Sequence, residues 1–425
     1  MTTYFAKGSP TTVLTDADLR AAMTATFEKL GKRRKVLAIP PDFTRFNSRA
    51  GILTRITYDH FGTALTDVLP ALGTHAPMPD WQIAKMYAGV PKDLFRIHDW
   101  RNDVVTIGSL PAEFVSRATD GVWDKPWPAQ LNKLAWGGGH DLILSIGQVV
   151  PHEVAGMANH TKNLFIGIGG AEGINESHFI GAAYGMERMM GRADTPVRRL
   201  LNEALLRLCK HLPIVFVLTV VGSDGAGGLV TRGLYIGDGV ECFELAAKLS
   251  LEVNFQLLDE EPKKVVVYLD PEEFHTTWLG NKSVYRTRMA IADRGELVVL
   301  APGLKGFGED PEIDRLIRAY GYRTTPEVMR FVREHQDLRT NLSAAAHLIH
   351  GSSEGRFTVT YCPGHLTRAE IEGVGYAYAD LAGTMRRYDP AKLVDGWNTV
   401  DGERIFYISN PALGLWAYRG RFKDL

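Results

Sequence analysis

Cysteine is scarce in this chain of 425 residues, and the three present, Cys209, Cys242 and Cys362, lie far apart. They offer neither a disulfide framework nor a zinc-type cysteine pair, and a few odd thiols fit a reduced, cytoplasmic protein. No run of about 18 apolar residues occurs, so a membrane-spanning helix is not expected. The opening residues, MTTYFAKGSPTTVL, lack an apolar stretch behind basic ones, so no signal peptide is expected either. An excess of one charge is also missing, with 48 basic residues against 49 acidic ones. That balance excludes nucleic acid or an anionic membrane as the main partner. The glycine-rich stretch at residues 222–228 lacks the Gly-x-Gly-x-x-Gly spacing of a dinucleotide fingerprint, which argues against a nicotinamide dehydrogenase.

What is present is a globular composition: 45% of residues are apolar, enough to bury more than one core, and the length fits two or three domains. Short apolar runs of buried-strand type alternate with helical periodicity, which predicts an α/β fold. Thr15 caps a helix with an apolar face of Leu19, Met23, Phe27 and Leu30, ended by Gly31. A strand is expected at 35–40, a helix over 52–69, and strands at 104–108 and 141–147. A helix over 186–211, a strand at 214–221 with a returning partner near 234–238, and a helix over 240–249 follow. Charge and a proline in LDEEPKK, residues 258–264, mark a boundary. Beyond it, strands at 265–269, 296–300 and 357–361 and helices over 311–320 and 367–381 form a second unit. The expected organisation is two α/β domains, 1–258 and 263–400, with an active-site cleft between them and a tail, 401–425, packing back on the first.

Candidate functional side chains sit on loops that follow strands, where ligands gather in open α/β sheets. Asp42 and Arg45 end the first such strand, and His75 lies in a small-residue loop just ahead of a helix start. His98, next to acidic residues, is expected to be a paired structural imidazole. The organising stretch is PHEVAGMANHTKNLFIGIGGAEGINESHF, residues 151–179, which brings His152, Lys162 and His178 together in a segment too rich in glycine for a packed helix. Imidazole suits late first-row metals, and a lysine amine can hold a cofactor covalently. In the second unit Lys305, Arg315 and Arg318 flank a strand–loop–helix turn, where they either clamp an anionic substrate or serve as surface charges.

Taken in order, DFTR at Asp42–Arg45, GTHAPM at Gly73–Met78, HDWRNDVVTIG at His98–Gly108, and the spacing of His152, Lys162 and His178 make the chain resemble the lactate racemase family. The resemblance runs over nearly the whole length. It implies a nickel-pincer nucleotide, a pyridinium-3-thioamide-5-thiocarboxylic acid mononucleotide with Ni, joined through its thioamide to Lys162. It also implies that His178 ligates the nickel and that His75 and His152 are acid/base groups on opposite sides of the substrate. Asp42 and Arg45 match positions near cofactor and substrate, and Arg315 and Arg318 fall roughly where the family has a Gln and a Lys. Ala76 stands where an Arg commonly follows the loop His, and residues 157–161 (MANHT) replace a Ser-Gly-Gly-Arg type run. These departures, with the APGLKGFGED loop at 301–310, point away from lactate and toward a sugar acid of the mannonate or gluconate type.

The implied activity is that of an isomerase, a racemase or epimerase inverting C2 of a 2-hydroxy acid by reversible hydride transfer. Cofactor-biosynthesis proteins are then expected partners beside the small-molecule substrate. Two rival expectations remain. One is a zinc-dependent hydrolase or lyase in which His75, His152 and His178 bind the metal directly. The other is a non-catalytic carrier that keeps only the lysine anchor.

Overall fold

Thr15 opens the first long helix through a reciprocal cap, its hydroxyl accepting from the Asp18 N–H while the Asp18 carboxylate accepts from the Thr15 N–H at 2.8 Å. The helix Asp16–Leu30 then turns Leu19, Met23 and Phe27 into the core and stops at Gly31. This computed structural model describes residues 2–224 and 228–422. The chain divides into two compact units, one made of residues up to Ile180 with Arg188–Asn254, the other of Gly181–Glu187 with the residues from Phe255 onward. The fold is α/β, and no helix among the described residues is long and apolar enough to cross a membrane.

The first unit is built on six strands: β1 (Thr3–Gly8), β2 (Val36–Ile39), β3 (Leu65–Val68), β4 (Leu142–Gln148), β5 (Ile214–Ser223) and β6 (Leu229–Gly237). Their spatial order is β1-β6-β5-β4-β2-β3. From β5 to β3 every pair is parallel, whereas β6 runs antiparallel to β5 and β1. The run VLAI of β2 is buried on both faces, as a central parallel strand must be. After β2 the chain moves outward to β3, and it later returns to the other side of β2 to lay down β4. The strand order therefore reverses between β2 and β4, and the carboxyl edge of such a switch point is a natural ligand site.

Glycine decides three departures from the sequence expectations. The single helix expected over 52–69 is instead the helix Ala50–Phe61, ended at Gly62 (φ 52°), followed by β3. A helix cannot pass through a left-handed residue, and the β-branched residues that follow favour a strand. The helix expected over 186–211 is split by Gly191 (φ 76°) into a short turn at Met186–Met189 and the helix Pro196–Leu208, which Pro196 begins. Conversely, the organising stretch is not too glycine-rich to be helical. Residues Ala171–Tyr184 form a helix in which Gly173 packs so close that an added Cβ would stand 2.9 Å from the Pro128 carbonyl oxygen. The glycine-rich turn at 222–228 falls partly outside the described residues.

The second unit has its own six-stranded sheet: β7 (Lys264–Tyr268), β8 (Glu296–Ala301), β9 (Thr358–Pro363), β10 (Ala377–Tyr378), β11 (Gly396–Val400) and β12 (Glu403–Ile408). The order is β10-β9-β8-β7-β12-β11, parallel except for the β11–β12 hairpin. The helix expected over 367–381 is cut to Arg368–Gly373, because Gly375 (φ 91°) redirects the chain into β10. From residue 401 onward the chain contributes β12, and Leu415–Tyr418 pairs in parallel with Phe255–Leu258 within the same unit.

Candidate active site

Three loops leave the carboxyl ends of β2, β3 and β4 side by side. The loops after β2 and β3 continue the strand pairing briefly, since Ala71 N–H donates to the Pro40 carbonyl at 2.8 Å and Pro41 bridges Ala71. That register lays His75 against Asp42, with Nδ1 2.6 Å from Oδ2. Asp42 is buried and also accepts from the Thr44 hydroxyl. Burial alone would raise its pKa, but the His75 hydrogen bond and charge, the Thr44 hydroxyl and the Arg45 guanidinium outweigh it and hold the carboxyl below its usual range. An ionised carboxylate only accepts, so Nδ1 of His75 carries a proton, and in the neutral ring the lone pair is on Nε2. The ring is half open to solvent, its side chain 52% exposed, so that this lone pair is available as a base.

His152 is set up in the opposite sense. It follows β4 in a two-residue strand, Pro151–His152, paired with Gly156–Met157. Gly156 is required at this turn because its φ is 76° and a Cβ would sit 2.1 Å from the Arg192 carbonyl oxygen. The Val154 N–H donates to Nδ1 of His152 at 3.1 Å, which places the imidazole proton on Nε2, 3.8 Å from the Glu153 carboxylate. Burial holds the His152 pKa well down; Glu153 opposes this, while Lys162, Arg45 and His178 add to it. His75 thus presents a lone pair and His152 a proton.

Lys162 lies in the short helix Thr161–Phe165, behind two residues in the left-handed region, Asn159 (φ 62°) and His160 (φ 57°). Such a pair of non-glycine residues persists only where the surroundings enforce it. Arg198, fully buried on the helix Pro196–Leu208, donates to the carbonyls of Met157 and Asn159 and to the Thr161 hydroxyl, and its guanidinium lies 4.2 Å from the Phe243 ring centroid. Asn163 ties the same helix to the sheet, donating to the Ile39 carbonyl at 2.9 Å and the Ser145 hydroxyl at 3.0 Å. The Lys162 amine is pushed down to about 8, first by burial and next by the Arg45 charge. An amine so depressed is partly neutral near neutral pH and is a competent nucleophile.

His178 completes the cluster from the helix Ala171–Tyr184. Its Nδ1–H donates to the Ile174 carbonyl at 2.7 Å, leaving Nε2 with its lone pair, and burial pushes its pKa down to about 4. A neutral imidazole whose other nitrogen is fixed by a backbone carbonyl is prepared to ligate a metal. Lys162, Glu153 and His75 each act electrostatically on it. The structure thus brings together Asp42, Arg45, His75, His152, Lys162 and His178. Among the described residues no group of three or more His, Cys, Asp or Glu side chains converges to hold a metal, so the three-imidazole zinc site is not formed.

In the second unit, Lys305 is exposed on the loop after β8. Arg315 is engaged by Glu312 at 2.9 Å and Asp337 at 3.1 Å, and Arg318 by Asp314 and by Glu370 at 3.0 Å. Both guanidiniums already have carboxylate partners in their own unit. His98 is structural, but its direct partners are not acids: Nε2 donates to the Gly169 carbonyl at 3.0 Å and Nδ1 accepts from Asn132. Sequence reasoning missed Glu153, Asn163 and Arg198. The signal for Arg198 was legible, because this charge falls in helical step with Leu201 and Leu205 on a face meant for the core. Arg198→Ala is expected to destabilise the first unit by about 3 kcal/mol, since two carbonyls and a hydroxyl lose their donor in the interior. Urea denaturation checks this, and a loss below about 1 kcal/mol would mean that the turn holds itself.

No protein-family model matches this sequence, and comparison with curated proteins finds no match. Among solved structures, the chain is similar to a structural-genomics target from Thermotoga maritima, with a TM-score of 0.82 and 25% identity over 98% of this chain and 100% of that one. It is also similar to the lactate racemase apoprotein from Thermoanaerobacterium thermosaccharolyticum, with a TM-score of 0.70 and 16% identity over 97% of this chain and 93% of that one. The chain therefore has a lactate racemase-like α/β fold.

Proposed function

We propose that the protein is a racemase or epimerase that inverts C2 of a 2-hydroxy acid by reversible hydride transfer. The observation that carries this reading is a base-ready imidazole, a proton-bearing imidazole and a depressed amine at one strand-switch point. The donor set fits a nickel-pincer nucleotide: Lys162 offers the amine for a covalent tether, and His178 offers one fixed nitrogen to the metal. When bound, that group supplies an electrophilic centre that takes a hydride from C2 and returns it.

The protein's own part is proton management and grip. Nε2 of His75 takes the hydroxyl proton as the C2–H bond gives up its electron pair, so that a 2-keto acid forms without net charge build-up on oxygen. Asp42 keeps the proton of His75 on Nδ1 and stabilises the imidazolium that results. Return of the hydride to the other face needs a proton from the opposite side, which is the role of His152. Taking up a proton at Nδ1 requires the Val154 contact to open, and the Glu153 carboxylate favours the charged ring. Arg45, whose charge bears on Lys162 and His152, grips the substrate carboxylate in this reading. The substrate is a sugar acid in preference to lactate, in keeping with the departures at Ala76 and residues 157–161.

Intact-mass measurement of protein produced together with cofactor-biosynthesis proteins tests the tether: an increment of a few hundred daltons is expected, absent in Lys162→Ala. A substrate deuterated at C2 tests the chemistry. Label retained at C2 supports hydride transfer, and complete washout into water would falsify it. Replacing Glu153 by Gln removes the charge that raises the His152 pKa, so the protonated ring is lost at lower pH. The basic limb of the kcat profile is then expected to move to lower pH. An unmoved limb would remove Glu153 from the proton path.

A further inference from the structure

A cavity of about 440 Å³ opens in the first unit where Leu142 and Ile214 begin β4 and β5, at the opposite end of β4 from the candidate active site. Leu142, Leu205, Leu206, Leu212, Pro213 and Phe216 give it apolar walls, and Arg33, Lys210 and Asp238 bring charge to it. Arg33 is half-buried, and its Nη1 and Nη2 donate to two uncharged acceptors, the carbonyls of Asp141 at 3.1 Å and Leu30 at 2.7 Å. Its Nε is buried and has no hydrogen-bond partner among the described residues. The Asp141 carboxylate feels this guanidinium, but its two oxygens accept from the backbone N–H groups of Arg34 at 2.9 Å and Lys35 at 3.0 Å. Lys210 is exposed and forms no ion pair among the described residues. Asp238 is the one acid on the lining, and it accepts from the Thr2 N–H. Burial raises the pKa of the Tyr4 phenol, which also lines the cavity; Asp238 raises it further and Arg33 opposes, so both charges bear on this space.

We propose that this cavity binds an amphipathic anion, an aliphatic chain of medium length ending in a carboxylate, with the chain against the leucines and the head group on Arg33 and Lys210. Two cations against one carboxylate leave the lining with an excess of positive charge. A partly buried guanidinium that has only carbonyl partners gains from a true counter-ion, and a charge-assisted hydrogen bond supplies it. The volume falls at the small end of ligand sites, which run from about 300 to 1,000 Å³, so it suits a single chain. The inference does not depend on the catalytic reading, because this ligand is not the substrate.

Decanoate, decanol and decyltrimethylammonium serve as probes, because they share a chain and differ in the charge of the head group. With the full protein at neutral pH, decanoate is expected to raise Tm by a few degrees. Decanol is expected to need about tenfold more for the same shift, and decyltrimethylammonium to give none. Butyrate, which has the head group with little chain, is expected to give none either. Lys210→Glu, at an exposed position, removes the advantage of decanoate over decanol, whereas Asp238→Asn, which keeps an oxygen for the Thr2 N–H, enlarges it. The decanol response stays the same in both variants. A decanoate shift no larger than that of decanol, an equal response to butyrate or to the cation, or a preference that neither substitution moves would each overturn the proposal.

Discussion

Lys162→Arg is expected to leave no measurable turnover of any 2-hydroxy acid, a loss of more than about a millionfold, in a protein that still folds. Arginine keeps the positive charge and most of the length, but it stays protonated at all accessible pH values and cannot form the tether. The buried lysine is suited to the task by its surroundings. With a pKa of about 8, set by burial and by Arg45, roughly a tenth of the amine is neutral at pH 7. That fraction is about 300-fold larger than for a lysine at its ordinary value of 10.5. The sign follows directly: cofactor attachment should speed up as pH rises from 6 and level off above about 8. Intact mass and circular dichroism separate loss of the tether from loss of the fold. Full activity and an added mass on the arginine protein would remove Lys162 from its role.

Asp42→Asn is expected to lower kcat by about 10³-fold, the next largest effect. An amide can present its N–H to Nδ1 of His75, which moves the ring proton to Nε2 and takes away the lone pair on which proton removal depends. The geometry changes little, so substrate affinity should hold. Detailed balance adds a stricter check, because the equilibrium between the two epimers is set by the substrates alone. The substitution must therefore lower kcat/KM in both directions by the same factor, and adding it to His75→Ala should deepen the loss of that variant no further. Deeper loss in the double variant would mean that Asp42 acts through a group other than His75.

Much of this site is legible in the amino-acid sequence because its residues follow strands. The run KVLAIP and the run DLILSIG announce β2 and β4, and the polar side chains just beyond them are those that meet at the switch point. Spacing does not reveal protonation. That His75 offers a lone pair and His152 a proton depends on Asp42 and on the Val154 N–H, two contacts set by loop geometry. The helix expectations fail where one glycine adopts a positive φ, at Gly62, Gly191 and Gly375, since apolar periodicity continues past each of them. Arg315 and Arg318 stand out in the sequence as cations near a loop, and only the fold shows Glu312, Asp337, Asp314 and Glu370 matching them.

The paired left-handed residues ahead of Lys162 give this stretch an unusual pattern of mutational tolerance. In a library randomised at 159 and 160, proline should vanish because its ring fixes φ near −65°, and valine and isoleucine should vanish because a branched Cβ collides with its own backbone there. Glycine and aspartate should survive beside asparagine at 159, whereas 160 must also keep a ring against Phe216 and Phe243. Position 159 rewards freedom where a core position rewards bulk, so a hydrophobicity-based ranking would order its variants backwards.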